Sequence, residues 1–217
     1  MATVPDHHPP DEMLAAYAAG GADDGEALLV ATHLALCPQC REVCDAFDAL
    51  GGAILDRSPA VAPPQGLEAL LARLDEPEPV VAPPPPAGPN DLPLPLRRFT
   101  GPLASVPFRT VAPGIRRFDL PMSHKDRPVA LVALSPGLKV PPHRHSAPER
   151  GLVLTGGFTD EASHFTRGDV CVRGPEDAHE HRQVIDPGDP CVVLMVDDGP
   201  KIPTTLVGKA VNWLFGM

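Results

Sequence analysis

Apolar residues recur at helical spacing through the first third of the chain, and after residue 97 they change to shorter runs. A spacing of three or four residues places side chains on one face of a helix, and this periodicity predicts four helices. They span residues 11–19, 23 or 24 to 36, 38–55 and 65–74, separated by Gly20-Gly21 and by Pro38. The third helix is expected to bury Val43, Phe47, Leu50 and Ile54.

The fourth predicted helix is short and carries its apolar residues on one face, namely Leu67, Leu70, Leu71 and Leu74. A helix of this length is marginal by itself in water. We therefore expect it to need a partner, either the helices before it or another protein.

The second half of the chain has short apolar runs at residues 129–134, 151–154, 169–172 and 191–196. Turn residues separate them, for example Ser135-Pro136-Gly137 and Asp186-Pro187-Gly188. Short strands at this spacing are typical of an antiparallel sandwich or barrel. The predicted fold class is therefore α+β in two domains, a small helical bundle followed by a β domain.

Proline and charge divide the chain in the same way. Of the 30 prolines, twelve lie between Pro59 and Pro95, which indicates an extended, semi-rigid spacer. We predict a helical domain at 1–76, a Pro-rich linker at 77–96 and a β domain at 97–217. Residues 1–76 hold 13 Asp and Glu against 3 Lys and Arg, whereas the rest holds 15 of each, so the whole net charge of −10 belongs to the first domain.

The acidic charge disfavours direct binding to nucleic acid or to an anionic membrane, and it favours docking on a basic protein surface. The alternative is a solvated acidic face that serves solubility. No apolar run approaches the roughly 18 residues of a membrane helix. The first residues have neither a basic start nor an apolar core, so we expect no secretory signal and a cytoplasmic protein. In that compartment, five cysteines indicate metal or redox chemistry.

The first candidate metal site is His33-x3-Cys37-x2-Cys40. One helical turn places His33 and Cys37 on the same face, and Cys40 follows in the first turn of the next helix, which favours thiolate. A structural zinc takes four N or S ligands, and His7 and His8 are the upstream imidazoles that could supply the fourth. The alternative is a pair of ordinary buried cysteines beside surface histidines. Cys44, one turn after Cys40, is either a core residue or a redox partner.

The second candidate site contains His143, His145 and Glu149. Alternate residues of a strand share a face, so both imidazoles point to one side, and Glu149 can join them. A third imidazole, from His179 or His181, would complete a ligand set that suits zinc, manganese, iron or nickel. We expect Cys171 and Cys191 to be core residues, and His124 and His164 to be surface residues.

The first motif, with its upstream histidine pair, resembles the zinc-binding anti-sigma family, and His7-His8 followed by Asp11 and Leu14-Ala-Ala-Tyr17-Ala-Ala-Gly20 resembles ChrR-type members. The resemblance implies that His8, His33, Cys37 and Cys40 hold zinc. It also implies a helical bundle that binds an extracytoplasmic-function sigma factor, in a 1:1 complex, and keeps it from RNA polymerase.

The second motif, Gly137-x5-His143-x-His145-x3-Glu149-x6-Gly156, resembles the first motif of a cupin β-barrel. The second cupin motif departs from the pattern, because the usual Pro-x-Gly before the histidine and the Asn after it are absent. In ChrR-like cupins a cysteine follows the histidine by ten residues, as Cys191 follows His181. This favours His181 as the ligand and leaves His179 as the alternate.

Three hypotheses follow. The first is a transcriptional regulator whose cupin domain responds to singlet oxygen or organic peroxides, as the resemblance implies, with Cys171, Cys191, His143 and His145 as candidate targets. The second is a metal-dependent cupin dioxygenase or isomerase with an accessory zinc module. The third is a thiol switch in which Cys37, Cys40 and Cys44 form disulfides and expel zinc.

Overall fold

A computed structural model of the chain describes residues 4–62, 66–77, 92–122, 127–141, 143–175, 182–199 and 201–204. Its helices are α1 (Asp11–Ala18), α2 (Asp24–Leu34), α3 (Pro38–Asp56), α4 (Leu67–Ala72) and α5 (Leu94–Thr100). The four predicted helices are confirmed, with ends shifted by one or two residues. Asp23 caps α2 by accepting hydrogen bonds from the N–H groups of Gly25 and Glu26, and Pro38 starts α3. None of the described helices is long and apolar enough to cross a membrane.

The strands are β1 (Arg109–Ala112), β2 (Ile115–Asp119), β3 (Val129–Leu134), β4 (His143–His145), β5 (Glu149–Thr155), β6 (Gly157–Thr159), β7 (His164–Thr166), β8 (Val170–Arg173), β9 (Val184–Ile185), β10 (Cys191–Asp197) and β11 (Lys201–Pro203). The four predicted strands are β3, β5, β8 and β10. A six-stranded antiparallel sheet has the order β1-β2-β3-β10-β5-β8, while β11-β4 and β7-β6-β9 form smaller sheets. The β-sheet domain is thus confirmed, but the described strands are not hydrogen-bonded into one closed barrel.

The inner strands β3, β5 and β10 are buried on both faces, which explains their uninterrupted apolar runs, whereas β1 and β2 are partly exposed. Alternate residues of β10 belong to two cores, with Val192, Leu194 and Val196 in one and Cys191, Val193 and Met195 in the other. The first core is shared with α1, α2, α3 and α5, whereas the second lies against the sheet of β6, β7 and β9. The helical module is therefore packed directly on the sheet.

Two ion pairs reinforce this packing. The guanidinium of Arg127 lies 2.6 Å from the carboxylate of Asp23, and that of Arg150 lies 3.5 Å from the carboxylate of Glu26. Both arginines also pair with Asp198 on the sheet. Part of the acidic charge of the helical module is thus balanced within the same chain.

The burial predicted for α3 is wrong in its second half. Leu50 and Ile54 are 59% and 61% exposed, and Val43 and Phe47 are only partly buried. The buried residues of α3 are Cys40 and Cys44, because only its first turns lie against α1 and α2.

The predicted linker, residues 77–96, is described only at its ends, because residues 78–91 lie outside the described part of the chain. Its last residues differ from the expected spacer, since Leu92 and Leu96 are buried in the core beside α2 and the helix α5 begins at Leu94. The predicted domain boundaries stay a prediction.

Candidate metal centres

The first cluster forms where three segments of the helical module meet. His8 lies in the segment before α1, His33 in the last turn of α2, Cys37 at the N-cap of α3 and Cys40 in its first turn. One ligand atom from each of the four lies within 4.8 Å of the others. Nδ1 of His8 is 3.5 Å from Sγ of Cys37 and 3.4 Å from Sγ of Cys40, and Nε2 of His33 is 3.3 Å from Sγ of Cys40.

These distances match the edges of a tetrahedral zinc site. Zn–N bonds of about 2.0 Å and Zn–S bonds of about 2.3 Å at tetrahedral angles place N and S ligands about 3.5 Å apart. The donor set, two imidazoles and two thiols, is one that structural zinc prefers. The residues therefore fit a closed zinc site.

The tautomer of His33 is fixed from the β-sheet domain. Its Nδ1–H donates to the carbonyl oxygen of Gly168 at 2.8 Å. In the neutral ring this leaves the lone pair on Nε2, the nitrogen that faces Cys40. The hydrogen bond thus presents the ring in the form that binds metal.

Burial keeps two of these groups neutral in the metal-free chain. The expectation that the start of α3 favours a thiolate at Cys40 is wrong for the metal-free chain, because burial raises the pKa of this thiol to about 12, with further contributions from Cys37 and Cys44. Burial also lowers the pKa of His33 to about 4, against the opposing effect of its hydrogen bond to Gly168. A metal ion must therefore displace the proton of Cys40, whereas His33 is ready to bind at neutral pH.

His7 and Cys44, the neighbours of the predicted ligands, are not members of this cluster. His7 is turned towards the sheet domain, where Nε2 lies 2.7 Å from Oγ of Ser163 and the ring packs against Phe165. Cys44 is buried one turn beyond Cys40, where burial raises the pKa of its thiol.

The second cluster contains His143, His145 and Glu149, all buried, with ligand atoms within 4.8 Å of one another. The two histidines alternate with the exposed Arg144 on β4, as predicted, and Glu149 begins β5. Nδ1–H of His143 donates to the carbonyl oxygen of Pro141 at 3.0 Å. In the neutral ring this leaves Nε2 as the nitrogen with the free lone pair. Two imidazoles and one carboxylate fit zinc, manganese, iron or nickel.

Other predicted residues are placed as follows. His179 and His181, the alternatives for the remaining ligand, lie outside the described residues, as does His124. His164 is exposed and pairs with Asp186 at 2.7 Å. Cys171 and Cys191 are buried on their strands, and burial raises the pKa of the Cys191 thiol to about 12.

Gly168 and Asp169 contact the first cluster, and no sequence pattern predicts this contact. The contacts join residues 135 and 163 positions apart, which local periodicity cannot indicate. The Gly-Asp pair is typical of a turn, but a turn does not show which donors its carboxylate will meet.

Two family models match the chain, a ChrR cupin-like domain over residues 97–201 and a zinc-finger over residues 11–41. The anti-sigma-E factor ChrR of Cereibacter sphaeroides is 36% identical over 211 residues, covering 96% of this chain and 97% of that protein. The crystal structure of Rhodobacter sphaeroides SigE in complex with the anti-sigma ChrR matches with a TM-score of 0.77 and 35% identity, covering 90% of this chain and 100% of the matched chain.

Proposed function

Because the chain belongs to the family of ChrR anti-sigma factors, we propose that its helical module binds an extracytoplasmic-function sigma factor in a 1:1 complex and keeps it from RNA polymerase. The role is regulatory rather than enzymatic, in line with the name of its relative. We place this activity in the cytoplasm, where RNA polymerase works, and it requires no contact with nucleic acid or membrane.

The observation that carries this proposal is the pair of uncovered apolar faces on α3 and α4. Leu50 and Ile54 lie one turn apart on α3, and Leu67, Leu70, Leu71 and Leu74 lie on α4 and the turn after it. All six are exposed, although amphipathic helices normally bury such a face. The carboxylates of Glu42, Asp45 and Asp48 are exposed on α3 as well. At 3.6 residues per turn these carboxylates lie on the other sides of α3, away from Leu50 and Ile54. An exposed apolar face on an acidic module suits a protein partner with apolar pockets and a basic surrounding surface.

Zinc at His8, His33, Cys37 and Cys40 would join the first segment, α2 and α3. With four protein ligands the metal has no open position for a substrate, so its contribution is a structural cross-link. A bundle this small gains much of its stability from such a link. We infer that zinc maintains the arrangement in which α3 presents its apolar face.

The β-sheet domain is proposed as the responsive part, with its three sheets as portions of a cupin barrel. His143, His145 and Glu149, with His181 or alternatively His179, would hold zinc, manganese, iron or nickel and so cross-link β4 to the start of β5.

The proposed signal is singlet oxygen or an organic peroxide. Cys191 is a poor target because it is buried and protonated. His143, His145 and Cys171 are also buried, but they keep 6%, 8% and 7% exposure whereas Cys191 has none, so these three stay as the candidate targets.

The sequestration proposal is tested with Leu50→Asp and Leu71→Asp. Each places a charge in the proposed interface, and we expect each to weaken sigma-factor binding by more than about tenfold, because central apolar contacts dominate interfaces. Both side chains are exposed in the chain described here, so folding should be unchanged in circular dichroism and thermal unfolding. Val61→Asp is the control, since Val61 is 88% exposed and follows α3 outside both faces. Equal affinity for all three variants and the parent chain contradicts the proposed interface.

The division of roles is tested by His143→Ala in the full chain. We expect this variant to inhibit sigma-dependent transcription as the parent does, but to release less sigma factor on exposure to singlet oxygen. His164→Ala is the control, because His164 is exposed and lies outside the second cluster. Normal release from the His143→Ala chain would place the sensor elsewhere.

A further inference from the structure

We propose that the Gly168–Asp169 turn of the β-sheet domain is an outer support of the N-terminal metal site, with Asp169 as the residue that positions the segment carrying His8. This inference rests on the zinc site proposed above and adds a contribution from the other domain. Zinc binding and the docking of the helical module on the sheet then become linked equilibria.

Asp169 holds the chain immediately before His8. One carboxylate oxygen accepts the backbone N–H of Asp6 at 2.7 Å and that of His7 at 2.9 Å. The other accepts the N–H of Thr166 at 2.7 Å and its hydroxyl at 3.1 Å. The carbonyl of His7 in turn accepts the N–H of Val170 at 3.0 Å. Both polar groups of the His7 backbone are thus bonded to the sheet domain, which fixes where His8 begins.

The carboxylate is suited to this task because it stays ionised. Asp169 is 2% exposed, and burial alone would raise its pKa. The hydrogen bonds from Thr166, His7 and Asp6 outweigh burial and lower the pKa below its ordinary value. At neutral pH both oxygens therefore act as acceptors.

Gly168 contributes the second contact, the carbonyl oxygen that accepts Nδ1–H of His33. Its φ of +99° is one that glycine adopts readily. A Cβ at this position would stand 2.6 Å from Cγ of Pro5 and 3.7 Å from Cβ of Leu36. The turn therefore lies directly against both the segment before His8 and the end of α2. Two of the four ligands depend on this one turn for their placement.

Such outer contacts are known to tune metal sites, since they fix the ring orientation and tautomer of histidine ligands. Linkage requires the effect to be reciprocal. If the docked sheet domain raises zinc affinity, bound zinc stabilises the docked arrangement by the same factor.

The same turn is bonded to the strand that begins at the second cluster. The N–H of Gly168 donates to the carbonyl of Val153 at 2.8 Å, and the N–H of Val153 donates to the carbonyl of Asp169 at 3.0 Å. Val153 lies four residues beyond Glu149 on β5. A change in the position of β5 therefore acts on the support of the first site.

The test compares Asp169→Asn with the parent in the full chain. Asn has nearly the same shape, but its NH2 group cannot accept a hydrogen bond. In one orientation it faces the N–H groups of Asp6 and His7, and in the other it faces the N–H of Thr166, so the neutral amide weakens the turn in either case. Affinity is measured with Co²⁺, whose thiolate charge-transfer absorption reports only the cysteine-containing cluster, followed by competition with Zn²⁺. We expect affinity to fall about 10- to 100-fold, the range for loss of an outer-shell partner.

Asp119→Asn is the matched control. Asp119 is also held by hydrogen bonds that lower its pKa against the effect of burial, here from Arg109 and Arg117, but it lies on β2 away from the helical module. We expect its Co²⁺ affinity to equal that of the parent even if its thermal stability falls. Equal affinity in Asp169→Asn and Asp119→Asn overturns the inference.

Two further readouts separate the alternatives. In the metal-free chain, the backbone amides of Asp6 and His7 should exchange hydrogen faster in Asp169→Asn than in the parent. In the parent, bound Zn²⁺ should slow hydrogen exchange at the amide of Val170.

If the parent shows no cobalt–thiolate absorption, the zinc proposal itself fails. A parent that binds Co²⁺ well beside an unaffected variant refutes only the role of the turn. If Asp169→Asn does not fold, Gly168→Ala takes its place, because its Cβ would displace Pro5. The same loss of affinity is expected, and none would refute the inference.

Discussion

Cys40 is the residue at which protonation and metal binding compete most directly. Burial holds its proton with a pKa of about 12, whereas His33 is already neutral above its pKa of about 4. In the metal-free chain, the raised thiol pKa lowers the free energy of unfolding as pH rises above about 8.5, because only the unfolded thiol ionises there. Zinc removes this penalty by replacing the proton.

We therefore predict that zinc binding releases the proton of Cys40 throughout the neutral range. Zinc affinity should rise by at least about tenfold for each pH unit between about pH 6.5 and about pH 8.5. The measurement is chelator competition at each pH, with proton release followed by an indicator in weak buffer. Cys44→Ser is the control, since Cys44 is not one of the four clustered residues. A pH-independent affinity would contradict the role of Cys40 as a thiolate ligand.

The sequence placed both clusters because their ligand spacing follows from local geometry. One helical turn joins His33 to Cys37, and strand alternation joins His143 to His145. The choice between His7 and His8 could not be made on spacing, since adjacent histidines reach the same region. In the structure, Ser163 and Phe165 hold His7, and these contacts come from the other domain.

Among the described helices, α2 has the most buried residues, because it lies between α1 and α3 on one side and the sheet on the other. Its approach to the sheet is closest at Gly25, where a Cβ would stand 2.7 Å from Cγ2 of Val129 and 3.2 Å from Cγ1 of Val196. β-branched valines have little rotamer freedom to move aside. Glycine is thus required here by the contact between the modules.

We predict that Gly25→Ala lowers the free energy of unfolding by about 1–3 kcal/mol, the cost of overpacking a close contact. Gly51→Ala on α3 is the control, because nothing lies within 4 Å of its Cβ position. That change should stabilise the helix by about 0.5–1 kcal/mol. Thermal or urea unfolding measures both. A stabilised Gly25→Ala chain would show that the module is not packed on the sheet as described.

Helical periodicity identified the apolar faces of α3 and α4, but not what covers them. A period of 3.6 residues states which side chains share a face, and tertiary contacts decide whether that face is buried. For α3, the first turns are covered by the bundle while Leu50 and Ile54 remain exposed. The expected partner of α4 is likewise absent from the described residues.

At the scale of the whole molecule, charge and apolar packing explain why the helical module packs on the β-sheet domain. The acidic helical module pairs with Arg127 and Arg150 of the β-sheet domain, and many of its other carboxylates, including those of Glu42, Asp45 and Asp48 on α3, are exposed. The composition predicted an acidic module that docks on a basic surface, but it could not show that part of that surface is in the same chain. The helical module therefore has two sides, one that packs on the sheet and one that we propose contacts a sigma factor.

Sequestration of a sigma factor by the zinc-bound module can be measured in a single binding titration. The zinc-loaded full chain is titrated against purified extracytoplasmic-function sigma factors of the same organism, in parallel with a Cys40→Ser chain. We expect a 1:1 complex with the parent and at least about a hundredfold weaker binding for Cys40→Ser, because loss of a zinc ligand disorders the start of α3. A folded, zinc-loaded parent chain that binds none of these sigma factors would contradict the account.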